Sequence, residues 1–553
     1  MLTRQSSAIE TLGSATVLCT DKTGTLTLNE MRVAAISPDG NGVVSTAEID
    51  PASVLEFLTH AVLACESHPL DPMEKAIHAL YQRHYGSRPQ VESDAMVRAY
   101  GLSPEFSAMT NIWQGSADGR HAAVMKGAPE VVLQCCGLAP SRVAQILKTA
   151  SAMADRGLRV LAVAARDVVA SELPDHQRDL ALDFVGLIGL ADPLRPSVPE
   201  AVAQCKSAGI RVVMITGDYP ATAVAIAQQA GILSPQDDPH RVLMTGEQLD
   251  QMPDDALALC IQQILVFARI KPVQKLRIVQ MLQRAGEVVG MTGDGVNDAP
   301  ALKAADIGIA MGVRGTDVAR EAAVLVLLKE DFGAIVQAIA RGRQIYANLR
   351  KAVGFIVSIH IPIAGLAVFP VLLGLPSVFF PVHIAFMEMV IDPAGSFVYE
   401  SEVADADAMQ RPPRSRQEFI YPLPLMVKSV AQGILVLATT MAGYFAARAL
   451  HTDETVIRGL VFIGLVSSGL AIITINMHRR HGLQIFGEET NSAFLLIVAA
   501  TLIILGLLFL VPALREVFHF GPLPPSWFMA ALGFGLLNYG LLRLSERILP
   551  TRR

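Results

Sequence analysis

The sequence is short of charge. Asp, Glu, Lys and Arg make up 17% of its 553 residues, against about 25% in an average soluble domain. What charge there is nearly balances, at a net -6, so no nucleic-acid partner is indicated. The thiols offer no staples either. Cys19, Cys65, Cys135, Cys136, Cys205 and Cys260 all lie in the first half and none forms a CxxC pair. The adjacent Cys135 and Cys136 have neither disulfide nor zinc spacing, and all six read as reduced, cytosolic thiols. The opening "MLTRQSSAIETLG" lacks the apolar segment that a secretory leader needs.

With so little charge, the hydrophobic fraction reaches 52%, and lipid is the natural place for the excess. Composition shifts near residue 351. Beyond it we expect six membrane spans, at about 352–374, 378–398, 424–447, 456–476, 493–513 and 526–546. Basic residues set the orientation. Arg411, Arg414 and Arg416 follow the second span, His478, Arg479 and Arg480 the fourth, and Arg547, Arg552 and Arg553 the last. Those loops, and with them the whole first half, are predicted to be cytoplasmic. A length of 553 residues suggests about three or four domains at roughly 150 residues each.

In the first half, short apolar strands alternate with helical patterns, which predicts a doubly wound parallel α/β sheet. "ATVLCT" leads to Asp21, "GIRVVMITGD" ends at Asp218 and "EVVGMTGDG" carries Asp294. Ligands of such sheets gather at the carboxyl ends of the strands, so three strands ending in aspartate predict a convergent acidic site. The roughly 160 residues from Asn29 to Ala191 exceed any ordinary loop and predict an inserted domain with its own core. The expected layout is 1–29 with 192–330 for the first domain, 30–191 for the insert, 331–351 for a stalk and 352–553 for the membrane region.

A lone aspartate at a strand tip would be an ordinary cap, but Asp294 and Asp298 in "GDGVNDAP" change its meaning. Clustered carboxylates raise one another's pKa unless a cation neutralises them. Mg²⁺ suits a few carboxylates with water and phosphate oxygens, and it would let Asp21 attack a phosphoryl group in line. Thr216 and Gly217 offer donors to phosphate oxygens, and Lys275 in "KPVQK" offers positive charge. Two positions after Asp21 stands Thr23 rather than a second aspartate. A threonine cannot deprotonate water, so an acyl phosphate formed on Asp21 is expected to persist.

"DKTGTLTLNE", "KGAPE", "DPLRP", "MITGD", "ARIKPVQK" and "MTGDGVNDAPAL" occur in that order. Together they resemble the P-type ATPases, in the branch of the calcium, sodium/potassium and proton pumps. The resemblance runs from about Ile9 to the end. Heavy-metal pumps match less well, because no CPC-type span is present. The fold it implies is a haloacid dehalogenase (HAD)-like sheet with an inserted α+β nucleotide-binding domain, followed by a six-helix bundle in a plasma or inner membrane.

By that resemblance Asp21 is the phosphorylated residue. Asp294 is the main Mg²⁺ ligand, Thr23 adds to the metal shell, and Asn297 and Asp298 support it. Thr216, Gly217 and Lys275 hold the phosphoryl group, and Gly24 allows its close approach. ATP is implied in the insert, with Glu74 of "DPMEKAI" near adenine, Phe106 of "PEFSAMT" stacking on the base, Lys126 and Gly127 lining the pocket, and Arg159 reaching the phosphates. Asp192 and Arg195 contact nucleotide at the hinge, and Asp218 and Arg269 complete the set. Between Phe106 and its Met the family usually carries basic residues, whereas "SAM" is short and uncharged here.

The transported ion is sought in "PVHIAFMEMVIDPAGSFVYE". Glu388 and Asp392 lie four apart on one helical face, intramembrane carboxylates are usually functional, and Pro393 frees backbone carbonyls. In the preceding span the calcium-pump pattern is broken, with His360 and Ile363 where Asn and Glu are expected. A divalent cation such as Ca²⁺ or Mn²⁺ is the first reading, with H⁺ or a monovalent cation as alternatives.

Family members also carry an actuator domain with a TGE-type loop and four earlier spans. The chain therefore reads as a fragment, a truncated frame or one of two polypeptides, a partner then supplying those parts. Activity of the chain alone is left open, with a membrane-anchored HAD-type phosphohydrolase or a non-transporting regulatory remnant as the other readings.

Overall fold

The computed structural model describes residues 2–4, 8–46, 48–86, 96–103, 106–114, 120–169, 173–328, 331–403, 405, 407–416, 418–477 and 491–548, without the side chains of Asp392, Arg547 and Ile548. The chain divides into two compact units. One comprises Met1–Ala338 with Met409–Pro413, the other Ile339–Ala408 with Arg414–Arg553.

The first unit contains two sheets. At the centre of the larger lies β1 (Val17–Asp21), whose residues Val17 to Thr20 are all buried. A strand covered on both faces reads as a continuous apolar run, as parallel central strands do. β2 (Arg211–Ile215) and β3 (Val289–Gly293) flank it in parallel. Ile215 stands opposite Asp21 and Met291 opposite Cys19. Outward from β2 come Val266–Ala268 and Leu243–Thr245, and outward from β3 come Ile307–Met311, Leu325–Leu327 and Leu2–Thr3. Only the pairing of Leu2–Thr3 is antiparallel. The register therefore delivers the carboxyl ends of β1, β2 and β3 to one edge, which is what the three terminal aspartates predict.

The second sheet has seven antiparallel strands in the order Val44–Ser45, Arg32–Pro38, Asp183–Ala191, Arg159–Val169, Arg120–Gly127, Ala108–Gln114 and Met96–Tyr100. Helices Pro51–Leu63 and Pro72–Tyr85 share one core with it, around Phe57, Leu58, Ile77 and Trp113. Helix Pro140–Ala154 joins the other, around Ile112, Met125, Ile146 and Met153. Asp50 and Asp71 cap the first two helices by accepting from backbone N–H groups of their first turns, and Asp71 thereby places Glu74 in such a turn.

The second unit is helical. Five helices that reach into it are long and apolar enough to cross a membrane: Phe332–Leu372, Leu423–Ala449 (α2), Glu454–Met477 (α3), Ser492–Leu510 and Pro525–Ile548 (α4). The expected stalk and first span lie on one helix of 41 residues. The composition change at 351 alters the solvent, and nothing in "NLRKAVGF" interrupts hydrogen bonding along the backbone. The second expected span is helical from Pro381 to Glu400, and its hydrogen-bond pattern widens to a π-turn at Met387–Ile391 before Asp392–Glu400. Pro393 lacks the N–H that a regular turn would use, and π-turns are frequent at functional sites.

Candidate active site

The convergence begins with chain path. After Asp21 the backbone turns sharply through Thr23 and Gly24, and Gly24 has φ +74°, a left-handed conformation that glycine adopts without penalty. A Cβ added to Gly24 would stand 3.1 Å from Asp294 Oδ2, so this glycine also keeps the space between β1 and β3 clear. Thr27 closes the turn. Its hydroxyl accepts from Gly24 N (3.3 Å) and donates to Asp192 Oδ2 (2.5 Å), while Glu30 N donates to Asp192 Oδ1 (3.1 Å). Arg195 donates from Nη2 to Gly24 O (3.1 Å) and from its backbone to Leu26 O. Asp192 and Arg195 thus brace the loop that follows Asp21.

Lys275 lies near the start of helix Pro272–Arg284 (α1). That start is held by Gln274, which donates to Gly246 O (2.7 Å) and Asp250 Oδ1 (2.6 Å). Lys275 Nζ donates to Asp21 Oδ2 and to Asp298 Oδ1, the latter at 2.7 Å. Asp298 is only 3% exposed and its other oxygen accepts from Gly295 N (3.2 Å). At the tip of β2, Thr216 is buried and accepts from Asp218 N (3.1 Å). Asp218 pairs with Lys22 Nζ at 2.6 Å. Gly217 and Asn297 are exposed, as is Thr23. Arg269 has φ +57°, and its guanidinium covers the Tyr219 ring at 4.1 Å.

The electrostatics are unbalanced. Burial pushes Asp21 above the usual carboxylate range, with Asp298 adding to the rise and Lys275 opposing it. Asp294 is raised by burial first, then by Asp21 and Asp298. Burial works against the charge of Lys275, yet Asp21 and Asp298 hold it above its ordinary value. Three carboxylates thus share one ammonium. Among the described residues no group of three His, Cys, Asp or Glu side chains is set up to hold a metal alone. Mg²⁺ needs less, since it takes one or two carboxylates and fills the remaining positions with water and phosphate. Asp21 and Asp294, both raised by burial, with a side-chain-free Gly24 between them, fit such an ion.

In the second sheet, Glu74 and Lys126 are both buried and form an ion pair, and Glu74 also accepts from Glu66 N (3.2 Å). Arg159 is exposed at the start of its strand. Phe106 is 7% exposed and belongs to the core cluster that includes Ala108, Met125 and Val132. At Gly127 a Cβ would stand 2.4 Å from Ala108 Cβ and 2.5 Å from Ser107 O. The neighbouring strand makes a close approach that requires glycine there.

In the helical unit His360 Nε2 lies 3.2 Å from Glu388 Oε1, and His360 Nδ1 lies 2.8 Å from Ile356 O. Glu388 is on the π-turn. The Asp392 side chain lies outside the described residues.

Sequence reasoning missed Lys22. Its position directly after Asp21 was the available signal, but its ion pair joins the loop after β1 to Asp218 beyond β2, 196 positions along the chain.

Residues 15–306 match the family model of haloacid dehalogenase-like hydrolases, and residues 376–548 that of the cation-transporting ATPase C-terminus. A calcium-transporting ATPase of Bacillus subtilis is 31% identical over 98% of this chain and 65% of its own length. Calcium-transporting ATPase 1 of Bacillus cereus is 33% identical over 82% of this chain and 52% of its own, and that of Lactococcus lactis 31% identical over 96% and 62%. The chain spans about half to two thirds of the length of the curated relatives it matches.

Proposed function

Because this chain belongs to the P-type cation-transporting ATPases, with a haloacid dehalogenase-like hydrolase core and a membrane-embedded helical region, we propose that it takes the γ-phosphoryl group of ATP onto Asp21 and couples this to cation movement through its helices. The observation that carries the reading is Asp21 at the tip of the central strand, bonded to Lys275, which also reaches Asp298.

Asp21 Oδ attacks phosphorus and the bond to the leaving ADP oxygen breaks, leaving an acyl phosphate. Lys275, held by two carboxylates, is placed to follow the charge of the transferring group. Asp21 and Asp294 would hold Mg²⁺ with Thr23, and when bound it screens the carboxylates from the incoming anion. Thr216 and Gly217 face the same edge and supply hydroxyl and backbone donors. Thr23 offers no base for water, which favours a lasting phosphoenzyme. In the second sheet the Glu74–Lys126 pair marks the nucleotide pocket, with Arg159 toward the phosphates.

We read the cargo as a divalent cation, Ca²⁺ first, in keeping with relatives named calcium-transporting. The His360–Glu388 pair favours a second reading, Mn²⁺ or H⁺, because imidazole ligates softer cations than Ca²⁺ and carries protons. The test is labelling of the full chain from γ-³²P-ATP. Acid-stable, hydroxylamine-labile label is expected in the wild type and none in Asp21→Asn. Label that survives Asp21→Asn would overturn the assignment. Label whose level responds to Mn²⁺ or pH but not to Ca²⁺ would select the second reading.

A further inference from the structure

The helical unit holds a second polar cluster that neither the ion pair at His360 nor the ATP site uses. α2 and α4 enclose a cavity of about 170 Å³ lined by Lys428, Ala431, Gln432, Leu435, Ser545 and Glu546. Lys428 Nζ donates to Glu546 Oε1 at 2.6 Å, and Arg543 lies 3.5 Å from the other carboxylate oxygen. One turn deeper, Gln432 is 3% exposed. Its Oε1 accepts from Asn476 Nδ2 (3.5 Å) and lies 3.3 Å from Ser358 Oγ, which itself donates to Gly354 O at 2.8 Å. Its Nε2 has no hydrogen-bond partner among the described residues. A buried amide donor without a partner is costly in protein and more so in lipid, so something outside the chain is expected to accept from it.

We propose that this cavity binds one zwitterionic aminophospholipid from the surrounding membrane. The charge pattern matches it. Lys428 and Glu546 lie side by side as the cation and anion that a headgroup phosphate and primary ammonium would meet. Lys428 is the sixth residue of α2, which begins at Leu423, and Glu546 lies two residues before the end of α4 at Ile548. Both therefore stand at headgroup depth, at the end of α2 that follows Arg411, Arg414 and Arg416 in sequence, the basic stretch that predicts the cytoplasmic side. From Lys428 to Gln432 is four residues, or about 6 Å along the helix. That is the depth step from a lipid phosphate to its ester carbonyl, the acceptor Gln432 Nε2 lacks. The cavity exceeds the roughly 30 Å³ share of a single water, while Ala431 and Leu435 give the glycerol and first acyl carbons an apolar wall. A choline headgroup has no N–H for Glu546, and a glycerol headgroup has no cation for it.

The inference rests on the helical unit being membrane-embedded, not on phosphorylation of Asp21, so the two fail separately. The full chain is reconstituted in nanodiscs of phosphatidylethanolamine, phosphatidylcholine or phosphatidylglycerol, and lipid retained after delipidating washes is counted by native mass spectrometry. One tightly held phosphatidylethanolamine is expected, retained on the order of tenfold more than the other two. Gln432→Leu is expected to lose that preference while keeping monodispersity and the Asp21 label. The double exchange Lys428→Glu with Glu546→Lys keeps an ion pair but reverses its order, and is expected to weaken retention too. Equal retention of the three lipids, or unchanged retention in Gln432→Leu, would mean that water alone fills the cavity and would overturn the proposal.

Discussion

Replacing Lys275 with methionine tests the site's charge balance most directly. Methionine keeps the length and nearly the volume of the lysine stem, so packing losses stay small. What is lost is the one ammonium between Asp21 and Asp298, whose side chains are 17% and 4% exposed. Removing one partner from a buried ion pair costs about 3–5 kcal/mol, because the other charge stays buried and unpaired. The chain has one escape, which is to take up a proton. Each pH unit is worth about 1.36 kcal/mol, so protonating an ordinary carboxyl from pH 7 costs about 4 kcal/mol. The penalty at pH 7 is therefore capped near 4 kcal/mol, and it falls to about 1.5 kcal/mol by pH 5. The sign agrees with the raised pKa values. Asp21 and Asp294 titrate above their unfolded values, so each contributes stability that is full at acid pH and is lost as pH rises through the folded pKa. Thermal unfolding of the full chain in detergent with chelator, from pH 5 to 8, measures the difference. Lys275→Met is expected to converge on the wild type as pH falls and to lose the Asp21 label throughout. A deficit that does not change with pH, or a variant more stable at pH 8, would refute this account of the triad.

Gly24→Ala forces a side chain into φ +74° and to 3.1 Å from Asp294 Oδ2. We expect a loss of about 1–2 kcal/mol in the same unfolding assay, and disappearance of the Asp21 label; wild-type labelling would show that the space between the strands is not needed. Thr23→Asp restores an acid two residues after the nucleophile, so the label's half-life after a cold-ATP chase should shorten by about 10² or more; an unchanged half-life would remove Thr23 from the argument. Burial pushes Cys19 and Cys136 up to about 12 and Cys65 up to about 11, and thiolate is the reactive form. Iodoacetamide at pH 8 should therefore leave these three unmodified by mass spectrometry until the chain is unfolded, and fast modification of Cys19 in the folded chain would contradict its place in the central strand.

Much of the site was legible because it is local. Each strand that ends in an acid is a contiguous apolar run, and parallel sheets bring such ends to one edge whatever the intervening length. Pairings between distant residues were not legible. Nothing in the spacing of Asp21, Lys275 and Asp298 says that one ammonium bonds both carboxylates, since that depends on Gln274 pinning the start of α1 to Gly246 and Asp250. The same holds for Gly127, where the motif does not show that Ser107 and Ala108, at the start of the neighbouring strand, crowd the glycine. In the helical unit the lost information is of another kind. Hydropathy reads length and apolarity, so it counted residues 378–398 as one more span. It cannot see that Pro393 and a π-turn alter the regular hydrogen-bond pattern of that helix beside Glu388. Hydropathy averages over a window of residues, whereas a π-turn and a missing backbone N–H are local changes of hydrogen bonding that leave the mean apolarity of the segment untouched.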